Sequence, residues 1–497
     1  MFKKRLLPLM LLLTACSQLP DNSHFQAKTS ESSMQSTTAS LSQSQTHNQT
    51  GVTLLENGLD ALATRLHLID QAKISIDVQY YLYHADISGH MFTLALWQAA
   101  ERGVKVRLLL DDIALGGKDN ILLAISSHPN IDVKLFNPFY RSEPRITQML
   151  TRFGGVTRRM HNKSLVIDDR IAIIGGRNIG DVYFDASPKT QFNDLDVQLC
   201  GQVANELRLV FDEYWSHELA YPTELLFGQR AESKISKERE RLLQPEFITL
   251  HEKRYFEQLL SITLKRKNDA PCSSNQYQGK VHILVDKPVK ILKPKERKEF
   301  HLAPKLTPFL SDLKRELIIV SPYFVPEKDD LDFFAALIQR NVKVTILTNS
   351  LKSNDVPLTH AGYLNHRKNL LSMGVELYEF DSKSALHPQI KLSLHSKYFI
   401  ADRESVFIGS MNLDPRSINE NTEIGAVIKS VPLAEDMAQT FEHVIASSAF
   451  AVTLEDDQIS WHKKAAHEDE FHHEPHSNFW ERFLLNAARF LPGESQL

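Results

Sequence analysis

The stretch Met160–Gly180, MHNKSLVIDDRIAIIGGRNIG, returns 234 residues later as Leu394–Asp414, LHSKYFIADRESVFIGSMNLD. In register, His161 aligns with His395, Lys163 with Lys397, Asp168 with Asp402, Gly175 with Gly409 and Asn178 with Asn412. Each copy sets its His and Lys two positions apart in an apolar, β-branched run, and alternate residues of a strand share a face. His161 and Lys163 therefore project together, as do His395 and Lys397. The aspartates fall at "DDR" and "ADR", which read as hairpin turns into "IAIIGG" and "SVFIGS", so Asp168 and Asp402 are expected to fix local structure. A single His-x-Lys is common by chance. Two copies with matched Asp, Gly and Asn are not, and neither has lost a polar member as an idle structural duplicate would.

A His beside a Lys on one face is costly unless an anion lies between them, because the two cations repel and burial opposes their charging. Two such pairs make sense around one phosphate. A phosphodiester offers oxygens to two lysines, a phosphorus to one imidazole and a leaving oxygen that needs a proton from the other. On this reading Gly175, Gly176 and Gly409 let the backbone approach the phosphate, while Asn178, Asn412 and the Ser410 hydroxyl donate to its oxygens.

Around the repeats the chain alternates strand and helix. "ISIDVQYYLY", "MFTLALWQAAERG" and "VKVRLLLDD" in the first half are answered by "ELIIVSPYFVP", "DLDFFAALIQRN" and "VKVTILTNS" in the second. This predicts an α/β protein of two pseudo-symmetric lobes, residues 51–224 and 301–450, forming one bilobal catalytic unit. Residues 225–300, with "SKERERLL" and "LKPKERKEF", read as exposed helices and loops joining the lobes, and residues 451–497 as a C-terminal tail. In "FWERFLLNAARFLP" of that tail, Trp480, Phe483, Leu484 and Phe490 recur at helical spacing. Two readings fit them: an interfacial helix lying on lipid, and packing against the body's own core. The histidines at 462, 467, 472, 473 and 476 lack a fixed ligand spacing and read as incidental.

Lys3, Lys4 and Arg5 precede an apolar run ending in Leu13-Thr14-Ala15-Cys16, the pattern of an export signal. The run is too short to cross a bilayer as a helix. Its small residues before Cys16 resemble the bacterial lipoprotein cleavage box, which makes residues 1–16 a leader and Cys16 a lipid anchor. By resemblance to the sorting rule of enteric bacteria, Ser17 after that cysteine, rather than Asp, would favour the outer membrane over the inner, with the body facing the periplasm. Residues 17–50 hold 22 Ser, Thr, Gln or Asn among 34 and read as a disordered tether. The remaining cysteines, Cys200 and Cys272, would be free to pair in an exported protein, though the sequence does not require it. The chain carries 42% hydrophobic and 24% charged residues and a net charge of −4, which gives no field favouring nucleic acid.

The order His-x-Lys, four residues, Asp, then Gly-Gly or Gly-Ser and Asn resembles the phospholipase D superfamily over about residues 51–450. Finer stretches, among them "VQYYLYHADISG", "RRMHNKS", "GGRNIGDVYF" and "HAGYLNHRKNLLSMGVELYEF", resemble the bacterial C-type cardiolipin synthases. The lipoprotein leader is a departure, not expected throughout that subfamily. The resemblance implies two lobes about a pseudo-twofold axis and a covalent phosphohistidine formed without metal or cofactor. It makes His161 the nucleophile and His395 the general acid and base, with Lys163, Lys397, Asn178 and Asn412 on the phosphate. Asp194 and Glu423 would support the histidines. It also implies phospholipid partners: phosphatidylglycerol, or phosphatidylethanolamine as an alternative donor. Transfer of the phosphatidyl group to phosphatidylglycerol and its hydrolysis by water both stay open, as does a secreted phosphodiesterase or nuclease. Oligomeric state is not readable. His360, in "THAGYLN", reads equally as lining the substrate path and as a solvated helix position.

Overall fold

The computed structural model describes residues 19–23, 47–228, 230–244, 249–266, 269–270, 272, 276–383, 388–463 and 470–489. The leader with Cys16, most of the tether, His467 and Phe490 lie outside the described residues. The first half contributes β1 (His47–Leu55), β2 (Ser75–Tyr80), β3 (Lys105–Asp111), β4 (Ile131–Phe136), β5 (Ser164–Ile167), β6 (Ile171–Gly175), β7 (Thr190–Asn193), β8 (Asp196–Cys200) and β9 (Ala220–Pro222). The second half follows with β10 (Tyr277–Val285), β11 (Glu316–Val320), β12 (Lys343–Asn349), β13 (Glu376–Phe380), β14 (Lys391–Leu394), β15 (Tyr398–Ala401), β16 (Ser405–Gly409), β17 (Ile424–Lys429), β18 (Ala449–Glu455), β19 (Gln458–His462) and β20 (Glu470–Phe471).

All but β7 and β14 join one sheet of 18 strands among the described residues. Across it the order is β9-β4-β3-β2-β5-β6-β8-β1, then β10-β17-β16-β15-β11-β12-β13-β18-β19-β20. The second run repeats the first, with β2, β3 and β4 parallel in one lobe and β11, β12 and β13 parallel in the other. Parallel strands need helical crossovers, and helices such as Ile87–Glu101 and Lys328–Gln339 supply them. Cores of Val, Ile, Leu and Phe fill both faces.

The lobes meet where β1 pairs antiparallel with β10, Gly51 opposite Gln278 and Val52 opposite Tyr277. This corrects the reading of residues 225–300 as exposed helices and loops. Glu232–Leu243 and Leu250–Lys265 are helices, the first with no buried residue, but Tyr277–Val285 is an interior strand between β1 and β17. Its "KVHILV" alternation was masked by the charged runs on either side. Likewise β1 begins inside the stretch read as tether. The tail is also more structured than its composition suggested, since β18 pairs with β13 and widens the second lobe.

A disulfide joins Cys200, at the end of β8, to Cys272. Closing a loop of 72 residues restricts the unfolded chain by ~4 kcal/mol on the loop-entropy account.

Candidate active site

Both repeats form hairpins. Asp168 and Asp169, and Asp402 and Arg403, take left-handed backbone angles with φ between 51° and 57°, as a two-residue turn between twisted strands requires. The Asp168 carboxylate accepts the backbone N–H groups of Lys73, Ile74 and Ser75 at 2.7–2.9 Å. Asp402 accepts those of Lys314, Arg315 and Glu316 at 2.8–3.0 Å. Each aspartate thus locks its hairpin to the strand beside it, β2 or β11.

The histidines are set from the other end. The last residue of β3, Asp111, accepts from Met160 N, and the last residue of β12, Asn349, accepts from Leu394 N, both at 2.9 Å. The following residues cross between lobes. His161 N donates to Thr422 O at 2.9 Å, and His395 N donates to Asn193 O at 2.8 Å. Met160 bridges Thr422 in parallel, and β14 pairs in parallel with β7, Leu394 opposite Asn193. The next residue beyond each acceptor is a carboxylate. His161 Nδ1 lies 2.9 and 3.0 Å from the two oxygens of Glu423, and His395 Nδ1 lies 2.5 Å from Asp194 Oδ2. Each imidazole is therefore oriented by a carboxylate from the opposite lobe.

With Nδ1–H given to the carboxylate, Nε2 is the nitrogen left for chemistry. Lys163 and Lys397 are 1% exposed, and each Nζ donates back to the carbonyl of its own histidine. Burial, reinforced by the nearby lysines, holds both imidazoles below their ordinary values, His161 far below. Burial lowers Lys397 to about 8 and pulls Lys163 well down. Burial thus disfavours their charged forms, and a bound phosphate monoanion would reverse that tendency.

The two carboxylates differ. Burial raises Glu423 to about 7 against the pull of Lys163 and of two hydroxyl donors, Ser410 Oγ and Ser417 Oγ. Burial acts the same way on Asp194, but His395 and Lys397 overcome it and keep that carboxylate ionised.

Several residues assigned to phosphate have other partners. Ser410 Oγ donates to Glu423 and accepts from Ile424 N. A Cβ on Gly176 would stand 2.0 Å from Asp194 Oδ1, and one on Gly175 2.3 Å from Asp196 Oδ1. These glycines make room for carboxylates, because the sheet brings the loop before β8 against them. A Cβ on Gly409 would meet Ile424 O at 2.4 Å. Asn178 Oδ1 accepts from Leu82 N and its Nδ2 donates to the Tyr183 hydroxyl, whereas the buried Oδ1 of Asn412 has no partner among the described residues. His360 is buried and faces Glu474 at 3.3 Å in a cluster with Arg367 and Glu379, so it neither lines the site nor meets solvent.

Aromatic walls complete the site and were not singled out in the sequence. Tyr81 meets the His161 ring edge-on at 4.8 Å, Phe192 stacks on His395 at 5.0 Å and 11°, and Tyr183 contacts His395 at 5.2 Å. The repeat could not reveal Phe192, since two residues before Glu423 its counterpart is Asn421.

The family described as cardiolipin synthase, PLD-like domain, matches this chain twice, at residues 66–215 and 306–445, each match holding one His-x-Lys pair. The chain is 36% identical over 469 residues to cardiolipin synthase C of Escherichia coli (strain K12), covering 91% of this chain and 97% of that protein. It is 24% identical over 395 residues to a cardiolipin synthase of Geobacillus kaustophilus (strain HTA426), covering 78% and 66% respectively. Among solved structures, phosphatidylserine synthase of Haemophilus influenzae Rd KW20 shares the fold with a TM-score of 0.56 at 15% identity, covering 81% of this chain and 87% of that one.

Proposed function

The chain belongs to the cardiolipin synthase family of phospholipase D-like proteins, and on that premise we propose that it moves a phosphatidyl group through a phosphohistidine to the terminal hydroxyl of phosphatidylglycerol. His161 Nε2 attacks the donor phosphorus, the bond to the headgroup oxygen breaks, and imidazolium His395 gives that oxygen a proton. The acceptor hydroxyl then loses its proton to His395 Nε2, its oxygen attacks phosphorus, and the N–P bond breaks. With phosphatidylglycerol as donor, glycerol leaves first and cardiolipin forms second. Lys163 and Lys397 carry the charge on the phosphate oxygens, and Asn412 is assigned to donate to one of them.

The observation that carries this reading is the crossed pairing of each imidazole with the other lobe's carboxylate. It also supports the division of roles. A general acid must be protonated, and although burial lowers the His395 imidazole, ionised Asp194 and a bound phosphate anion both favour its imidazolium; a nucleophile must be neutral, and burial with the nearby lysines lowers His161 the further of the two. The Cys200–Cys272 disulfide supports the exported, periplasm-facing location read from the leader, with Cys16 as anchor. The domain division at 51–224, 225–300 and 301–450 follows the pseudo-repeat, amended so that β10 joins the sheet.

The test incubates the purified protein with labelled phosphatidylglycerol vesicles, with and without phosphatidylethanolamine, and separates the lipids by chromatography. Cardiolipin without phosphatidic acid is the expected result, and His161→Ala abolishes it. Phosphatidic acid alone would make the protein a hydrolase, and cleavage of nucleotide diesters with no change in lipid would overturn the lipid assignment.

A further inference from the structure

Away from the histidines, each lobe carries a group of exposed apolar side chains. On the second lobe, the helix Phe479–Ala488 leaves Phe479, Trp480, Phe483 and Leu484 between 55% and 68% exposed while Leu485 is buried beneath it. Lys352–Glu481 at 2.8 Å and Arg489–Asn365 at 3.0 Å pin it to the body. On the first lobe, Ile146, Leu150 and Phe153, in and just after the helix Arg145–Thr151, are between 61% and 78% exposed. That helix is held by Arg145 on Asp112 at 2.9 Å.

The two anchor points correspond. Asp112 directly follows β3 and Lys352 lies three residues beyond β12, the strands whose last residues, Asp111 and Asn349, also hold the residues preceding His161 and His395. Both patches are thus fastened at the sheet edge that carries the reactive groups, one on each lobe. Beside them Arg152 bonds Gln148 Oε1 and stands over the Tyr140 ring at 3.9 Å, and Arg482 bonds Ser477 O. Neither has a carboxylate ion pair among the described residues.

We propose that these two patches form a membrane-docking surface, which seats the catalytic edge on an anionic phospholipid bilayer so that lipid reaches the histidines from its own leaflet. This deepens the phospholipid reading above and rests on it. Aromatic and aliphatic side chains enter the interface while the Arg152 and Arg482 guanidinium groups, bonded to neutral oxygens, meet lipid phosphates. A globular partner or a second copy would cover the apolar residues but gives no reason for them to flank the edge where lipid must enter.

Trp480 provides the readout, since the other tryptophans, Trp97, Trp215 and Trp461, are buried. With the full chain on phosphatidylglycerol vesicles, Trp480 emission is expected to shift to the blue and to be quenched by bromine on the acyl chains. Replacing Ile146, Leu150 and Phe153 by Ser is expected to cut turnover on vesicles on the order of tenfold, with turnover of monomerically dispersed short-chain phosphatidylglycerol unchanged. Trp480 emission that stays unchanged in vesicle-bound protein overturns the proposal, and so does a blue shift that appears without lipid as protein concentration rises. Failure of the wild-type chain to turn over the dispersed substrate instead overturns the phosphatidyltransferase reading, whatever Trp480 does.

Discussion

At the scale of single residues, the site depends on a few close approaches whose loss is specific. Gly176 leaves the space that Asp194 fills, and Gly176→Ala would put a methyl 2.0 Å from Asp194 Oδ1. The carboxylate must move off His395, and we expect turnover to fall about 10²-fold or more with little change in secondary structure; activity equal to wild type would show that the Asp194–His395 contact does not matter. Glu423 makes a separate prediction through pH. Its proton is held more tightly in the folded chain, about 7 against 4.5, so the associated stability is present in full below pH 4.5 and is lost as pH rises through about 7. For this buried group the difference is on the order of 3 kcal/mol. Glu423→Gln should therefore flatten the decline in Tm between about pH 5 and about pH 8. A decline parallel to that of the wild type would refute it. Asp286 and Asp414, raised by burial to about 6 and about 7, keep the variant curve from becoming level.

At the scale of elements, the motif aspartates belong to the hairpins rather than to the reacting atoms. Each accepts three backbone N–H groups on the neighbouring strand edge, so Asp168→Ala and Asp402→Ala should each destabilise the fold by about 1–3 kcal/mol. Thermal unfolding read beside kcat at low temperature checks this. The expected pattern is a lowered Tm with kcat within about tenfold of wild type; an unchanged Tm with activity lost would move the aspartates into the chemistry. The hairpins were legible in the sequence because the turn residues and the period-two runs both lie within a few positions of one another. β10 was not, because its pairing partners, β1 and β17, stand far from it in the chain and its flanks are highly charged.

At the scale of the molecule, one sheet passes through both lobes, and the Cys200–Cys272 disulfide ties the end of β8 to the segment leading into β10. Cys272→Ser should lower stability by about 4 kcal/mol by the loop-closure account. The loss is read as a drop in denaturation midpoint that reducing agent reproduces in the wild type and not in the variant. Equal midpoints with and without reductant would show that the bond does not restrict the unfolded chain. Because the supporting carboxylates are exchanged between lobes, anything that shifts β1 against β10 disturbs both imidazoles at once.

The sequence by itself determined the lobes, the two histidines and lysines, and the hairpins, since each is written in spacing that local geometry converts directly into a shared face or a turn. Only the tertiary structure decided which carboxylate meets which histidine. It likewise turned Ser410 toward Glu423, gave the space at Gly176 to Asp194, engaged both ends of Asn178 within the protein, and buried His360. A residue's type announces what it can bond, but the partner it finds is set by the packing of strands far apart in the chain, where whichever group lies nearest in the dry interior takes the bond.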